Sequence, residues 1–168
     1  MLSYVIGRLH ESSLKPADVD ESFIGLPANL AEWQEKHPAP QPAPYGVSAR
    51  GAENWCCDWL VHMGLHDATV TQQSGDGGVD VESATHIVQV KNYTGAVPIT
   101  EIRELAGVAA VDGRVPVFMT SGTYPSQAED FADRANMALL TYEVSTGEVF
   151  PTNRVGFALV TEGLLRAE

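Results

Sequence analysis

Four prolines within eight residues, His37-Pro-Ala-Pro-Gln-Pro-Ala-Pro44, set the first limit on how this chain can fold. Proline lacks a backbone donor and locks φ, so neither a regular helix nor an interior strand can run through the segment; an extended polyproline-type spacer can. The chain is therefore divided into residues 1–36, an N-terminal extension; 37–47, a proline-rich linker; 48–143, a main domain; and 144–168, a C-terminal extension.

The extension ahead of the linker carries a short apolar cluster, Phe23, Ile24 and Leu26, and a helical stretch from Asn29 to Lys36. That is too little for an independent core, so it is expected to pack on the main domain or on a partner. With 168 residues, 44% of them hydrophobic and 19% charged, the rest is sized for one compact soluble domain. No stretch is apolar for long enough to span a bilayer, and Met1 to His10 lacks the basic and apolar regions of a secretory leader. A cytoplasmic protein without a membrane partner is the expectation. Cys56 and Cys57 are sequence neighbours with no third cysteine to complete a thiolate zinc site, so both are read as reduced, partly buried thiols.

From Ser48 the pattern reads helix, three short strands, helix, strand, helix, strand, the order of an α/β domain. Ala52, Cys56, Trp59, Leu60 and Met63 recur at helical spacing over Ser48 to Met63, and Gly64 is placed to end that helix. Ala68 to Gln72, Val79 to Val81 and His86 to Lys91 are expected strands around the turn Ser74-Gly-Asp-Gly-Gly78. Pro98 suits the first turn of a second helix, capped by Thr100 or a neighbour, whose buried face carries Ile102, Leu105, Ala106 and Ala109. Val115 to Thr120 reads as an interior strand, Ser126 to Asn136 as a helix and Ala138 to Tyr142 as a last strand. A final helix is expected near Gly156 to Arg166.

In a strand, alternate side chains share a face, so Gln89 and Lys91 point one way while Val88 and Val90 point into the core. The glycines of Gly75-Asp-Gly-Gly-Val-Asp80 allow a sharp bend, and the hairpin brings the Asp80 carboxylate beside Gln89 and Lys91. A carboxylate, an amide or backbone carbonyl and several waters form an oxygen-only site of the kind that suits magnesium, which keeps much of its hydration. Such a site supports phosphodiester hydrolysis, with Lys91 orienting water or stabilising charge on phosphorus.

The run Ser74-Gly-Asp-Gly-Gly-Val-Asp80 followed by Gln89-Val-Lys91 resembles the Mrr-type restriction endonuclease domain of the PD-(D/E)XK superfamily. Ile102-Arg-Glu-Leu-Ala-Gly107, Phe118-Met-Thr-Ser-Gly122 and Ala128-Glu-Asp-Phe-Ala132 resemble its following helix, strand and helix in the same order. The similarity spans roughly Ala49 to Tyr142. It implies a restriction-endonuclease-like α/β core, a central mixed β-sheet flanked by helices, here with a short N-terminal extension. It also implies a Mg2+-dependent endonuclease, with Mn2+ as a substitute, cutting DNA in host antiviral defence. By this resemblance Asp80, Gln89, Lys91 and Glu53 are the catalytic residues, and Asp80, Gln89 and Glu53 hold the metal. Family members often carry a winged-helix DNA-binding domain, for which the segment before the linker is too short.

Plainer duties compete for several of these residues. Asp80 and Asp76 could stabilise the turn, Lys91 could be a solvated strand end and Gln89 a surface amide. Trp55 and Trp59 are read as core anchors rather than base-stacking platforms. Ser126 reads as a helix-start residue, with phosphate contact by it or Ser121 a lesser option. His10, His37, His62, His66 and His86 lack metal-ligand spacing and are assigned to the surface or to helix ends.

The net charge of −12 repels nucleic acid at long range. Acidic residues gathered at a cation site, or a basic protein partner that supplies DNA recognition, would reconcile the charge with a nuclease. A homodimer is a further expectation, because two cuts in a duplex need two active sites. A non-catalytic accessory subunit, and a nuclease acting on RNA or structured junctions, are the competing functions.

Overall fold

A computed structural model describes residues 29–72 and 78–165. The Phe23 cluster, His10, the turn residues Ser74 to Gly77 with Asp76, and Arg166 lie outside the described residues. In chain order the elements are α1 (Leu30–Lys36), α2 (Ala49–His62), β1 (Thr69–Val70), β2 (Val81–Glu82), β3 (His86–Lys91), α3 (Ile99–Asp112), β4 (Val115–Thr120), α4 (Ser126–Arg134), β5 (Ala138–Glu143), β6 (Glu148–Pro151) and α5 (Arg154–Glu162). They form an α/β fold: the six strands among the described residues make one mixed sheet in the order β1-β2-β3-β4-β5-β6.

The connections explain the strand directions. Short links join β1, β2 and β3 as antiparallel neighbours, whereas α3 and α4 each carry the chain back so that β3, β4 and β5 run parallel. Parallel strands covered by helices are buried on both faces. Accordingly Val88, Val90, Val117 and Met119 pack with Trp55, Cys56, Trp59 and Leu60 of α2, while Ile87 and Phe118 pack with Ile102 and Leu105 of α3 and Ala128 of α4. Trp55 and Trp59 are thus core anchors, and both cysteines are free and buried.

Asn29 caps α1, its Oδ1 accepting from Glu32 N at 2.9 Å, and Trp33 fastens this helix to α2 by donating to Val61 O at 2.6 Å. The proline-rich segment lies along the domain: Trp55 Nε1 donates to Gln41 O at 3.0 Å, and Ala43 N donates to Val144 O at 2.6 Å.

Four local expectations are corrected. Pro98 itself is the N-cap residue of α3 and no side chain, Thr100 included, caps that helix. The strands expected at Ala68 to Gln72 and Val79 to Val81 shrink to two residues each. His86 is buried within β3, where its Nδ1 meets Thr85 Oγ1 at 2.7 Å, instead of lying on the surface. Beyond residue 143 an unexpected strand, β6, pairs antiparallel with β5, and the final helix starts two residues earlier than expected, with Leu159 in the α2-side core.

Asn153 ties this last helix to the sheet. Its Oδ1 accepts from Leu139 N at 2.9 Å and Gly156 N at 3.0 Å, and its Nδ2 donates to Met137 O and Asp133 Oδ1, both at 2.8 Å. A buried amide with all these partners is costly to remove, because each lost bond strands a backbone group away from water. Asn153→Ala should lower the unfolding free energy by about 3 kcal/mol in urea titration. Asn153→Asp, which keeps the acceptor and loses the donors, should fall between the two; an Ala variant as stable as wild type would contradict this role.

Candidate active site

Asp80 owes its position to an irregularity in the β2–β3 pairing. Val81 is registered opposite Val88, yet Asp80 N also donates to Val88 O at 2.8 Å, so two residues share one partner as in a β-bulge. The bulge breaks the ordinary alternation: Val79 packs against the α3-side core and Val81 enters the α2-side core. The Asp80 carboxylate turns back onto β3, where Oδ2 accepts from Val90 N at 2.7 Å. That amide belongs to the peptide joining Gln89 to Val90, so the carboxylate is tied to the backbone of the strand that carries Gln89 and Lys91.

Gln89 is buried, with 5% of its surface exposed, and its Oε1 has no hydrogen-bond partner. A surface amide is therefore excluded. Gly78, at φ +75°, packs over it so closely that a Cβ at that position would lie 2.6 Å from Gln89 Nε2. The positive φ favours glycine here, and a Cβ would have to displace the Gln89 amide.

Glu53 projects from α2 and is largely covered; Arg50 donates to its Oε2 at 2.8 Å and to Thr71 O at the same distance. Lys91 ends β3, half-buried, with Nζ 3.7 Å from Glu101 Oε2 on α3. Asp80 feels three of these charges. Burial pushes its carboxyl above the ordinary value, the Val90 N–H pulls it down, Glu53 pushes it up, and Lys91 and Arg50 pull it down. Of the four residues singled out from the sequence, Glu53 and Lys91 lie close enough to Asp80 to act on its charge, and Gln89 adjoins the Val90 amide that holds it.

Glu101 and Tyr93, which the sequence spacing does not single out, border the same place, with Tyr93 Oη donating to Glu101 Oε1 at 2.8 Å. The available signals were an acid in the first turn after Pro98 and a tyrosine two residues beyond Lys91. By contrast, Ser121 Oγ donates to Tyr93 O and Asn92 Oδ1, and Ser126 opens α4. Cys56 and Cys57 take no visible part: burial raises both thiols, Cys57 to about 11.

Among the described residues no three His, Cys, Asp or Glu side chains form a metal cluster. The donors on offer are instead two carboxylates and an amide oxygen. They fit a hard divalent cation that keeps several waters, and the unpartnered Gln89 Oε1 is a buried oxygen of the kind such an ion satisfies.

The raised carboxyl of Asp80 has a consequence for stability. Because the folded state binds this proton more tightly than the unfolded chain, its contribution is fully present below the unfolded carboxyl value and is lost as pH rises through the folded value. Asp80→Asn keeps an acceptor for Val90 N and removes the charge. In EDTA it should melt above wild type near pH 7, the gap closing as pH falls below the ordinary carboxyl value, where Asp80 is neutral in both the folded and the unfolded chain. A lower melting temperature for the variant at neutral pH would show that ionised Asp80 stabilises the fold.

No helix among the described residues is long and apolar enough to cross a membrane. No curated protein and no solved structure matches the chain. A family model described as restriction endonuclease, the Mrr catalytic domain, matches residues 45–144, more than half of the chain and the whole span from the linker's end through β5. With the α/β core, the bulged Asp80 and the Gln89–Lys91 strand assembled beneath that match, the chain belongs to the Mrr-type restriction endonuclease family of PD-(D/E)XK nucleases.

Proposed function

We propose that this restriction-endonuclease-like nuclease is a metal-dependent endonuclease that hydrolyses DNA phosphodiester bonds, with Mg2+ the cofactor and Mn2+ a substitute. The observation that carries the reading is the buried, unpartnered Gln89 Oε1 on β3, the strand whose Val90 N–H holds the half-buried Asp80 carboxylate and whose last residue is Lys91. Asp80, Gln89 and Glu53 would hold the cation. When bound, it supplies a Lewis acid that polarises the scissile phosphate and acidifies a water.

The protein's own groups supply orientation and charge. In hydrolysis the water oxygen forms a bond to phosphorus, the ester P–O bond breaks, and the departing oxygen takes a proton. In this reading the Lys91 ammonium orients the attacking water and offsets negative charge gathering on the phosphoryl oxygens. Val90 N keeps Asp80 in one orientation, so little reorganisation is needed as charge develops.

The charge of the chain shapes how substrate would arrive. Arg50 is engaged by Glu53, and Arg114 by Asp112 and Glu82, so these cations are already neutralised. With a net charge of −12, DNA recognition is assigned to a basic protein partner; a second copy of the chain would serve to cut the second strand, and the setting is assigned, with the family, to cytoplasmic antiviral restriction. The same charge favours one alternative, an accessory subunit that keeps the fold and binds through its acidic surface.

Digestion of supercoiled plasmid with Mg2+, Mn2+ or EDTA separates these. The nuclease reading predicts metal-dependent nicking or linearisation that drops by about a hundredfold or more in Lys91→Ala. Gln89→Ala should raise the metal concentration needed for half-maximal cleavage by about tenfold. Cleavage that persists in EDTA or in Lys91→Ala would contradict the assigned site, and no cleavage by wild type with either metal would put the accessory subunit in its place.

A further inference from the structure

We infer that Glu101, itself fixed by Tyr93, is a positioning residue that holds the Lys91 side chain at the site; the inference rests on the nuclease reading above only for its kinetic consequence. Lysine carries its charge on a flexible four-carbon stem, so a lysine that must meet one phosphate oxygen needs an external restraint. Lys91 has one in reach. Its Nζ lies 3.7 Å from Glu101 Oε2, beyond a hydrogen bond and within ion-pair range.

An acid in the first turn of a helix ordinarily faces solvent and serves the helix dipole. Glu101 does otherwise. Its side chain is 21% exposed, Oε1 accepts from Tyr93 Oη at 2.8 Å, and Oε2 is buried without a hydrogen-bond partner. A buried carboxylate oxygen left in that state is costly unless a cation answers it, and the cation beside it is Lys91.

Tyr93 and Lys91 lie two residues apart, on either side of Asn92, while Glu101 comes from α3. The three side chains therefore link the end of β3 to the helix that covers it. Tyr93 restrains one oxygen of Glu101, and the other faces Lys91. Glu101 therefore acts through Lys91, the group it faces.

Two readouts test this. The chain has three lysines, Lys15, Lys36 and Lys91, so selective labelling of lysine side chains yields three ammonium signals, and the one lost in Lys91→Ala is Lys91. Glu101→Gln should shift that signal, whereas Glu104→Gln on the exposed side of α3 should leave it in place. In plasmid cleavage Glu101→Gln should lower kcat by about tenfold with KM nearly unchanged, and Tyr93→Phe should lower it less. Glu101→Gln should add nothing in the Lys91→Ala background. An unmoved Lys91 signal, or equal kcat in Glu101→Gln and wild type, overturns the inference while the nuclease reading stands. Absence of cleavage by wild type overturns that reading, and the Lys91 signal then still decides whether Glu101 holds it.

Discussion

The hydrogen bond from Val90 N to the Asp80 carboxylate is the constraint on which the rest of the site depends. It fixes a charge at the one place where β2 departs from regular pairing. The departure is necessary: without the doubled partner at Val88, ordinary alternation would send Asp80 to the other face. Gly78 serves the same geometry, since its positive φ favours glycine and a side chain there would have to displace the Gln89 amide. Backbone, bulge and glycine together place a carboxylate and an amide oxygen in a half-dry environment where both lack full solvation.

The surrounding fold holds this arrangement rigid. β3 is clasped by β2 and β4, with α2 below and α3 above, so a strand end carrying Gln89 and Lys91 has little freedom. The segments outside the matched family region add to the same body. Trp33 fastens α1 to α2, the proline-rich stretch bonds to Val144, and Asn153 pins α5 to β5. The acidic character of the chain reaches into the site, where Glu53 and Glu101 each engage a basic residue. A site built this way invites a small cation more readily than a bare polyanion.

Much of this was legible in the sequence where local pattern and tertiary role agree. His86 to Lys91 and Val115 to Thr120 read as strands and are strands to the residue, because buried β-branched runs have few other uses. Asp80, Gln89 and Lys91 stand out in the sequence as a motif and Glu53 through the family resemblance, and Glu53 and Lys91 lie near enough to act on the charge of Asp80. What stayed hidden depends on contacts distant in sequence. β6 is four residues long, ends in proline and alternates exposed with half-buried positions, so only pairing with β5 reveals it. The bulge at Asp80 has no local marker beyond its glycines. Glu101 looks like an ordinary first-turn acid until Tyr93 and Lys91 are seen beside it.

The central claim, that Asp80 and Gln89 form an oxygen site for a divalent cation, is tested most directly by titrating Mn2+ into the protein and following the free ion by electron paramagnetic resonance, without nucleic acid. The account predicts a saturable site whose affinity falls by about tenfold or more in Asp80→Ala and in Gln89→Ala, each variant retaining its cooperative unfolding. Mn2+ uptake identical in wild type and both variants would contradict it, and would place the metal chemistry, and with it the role of the bulge, elsewhere.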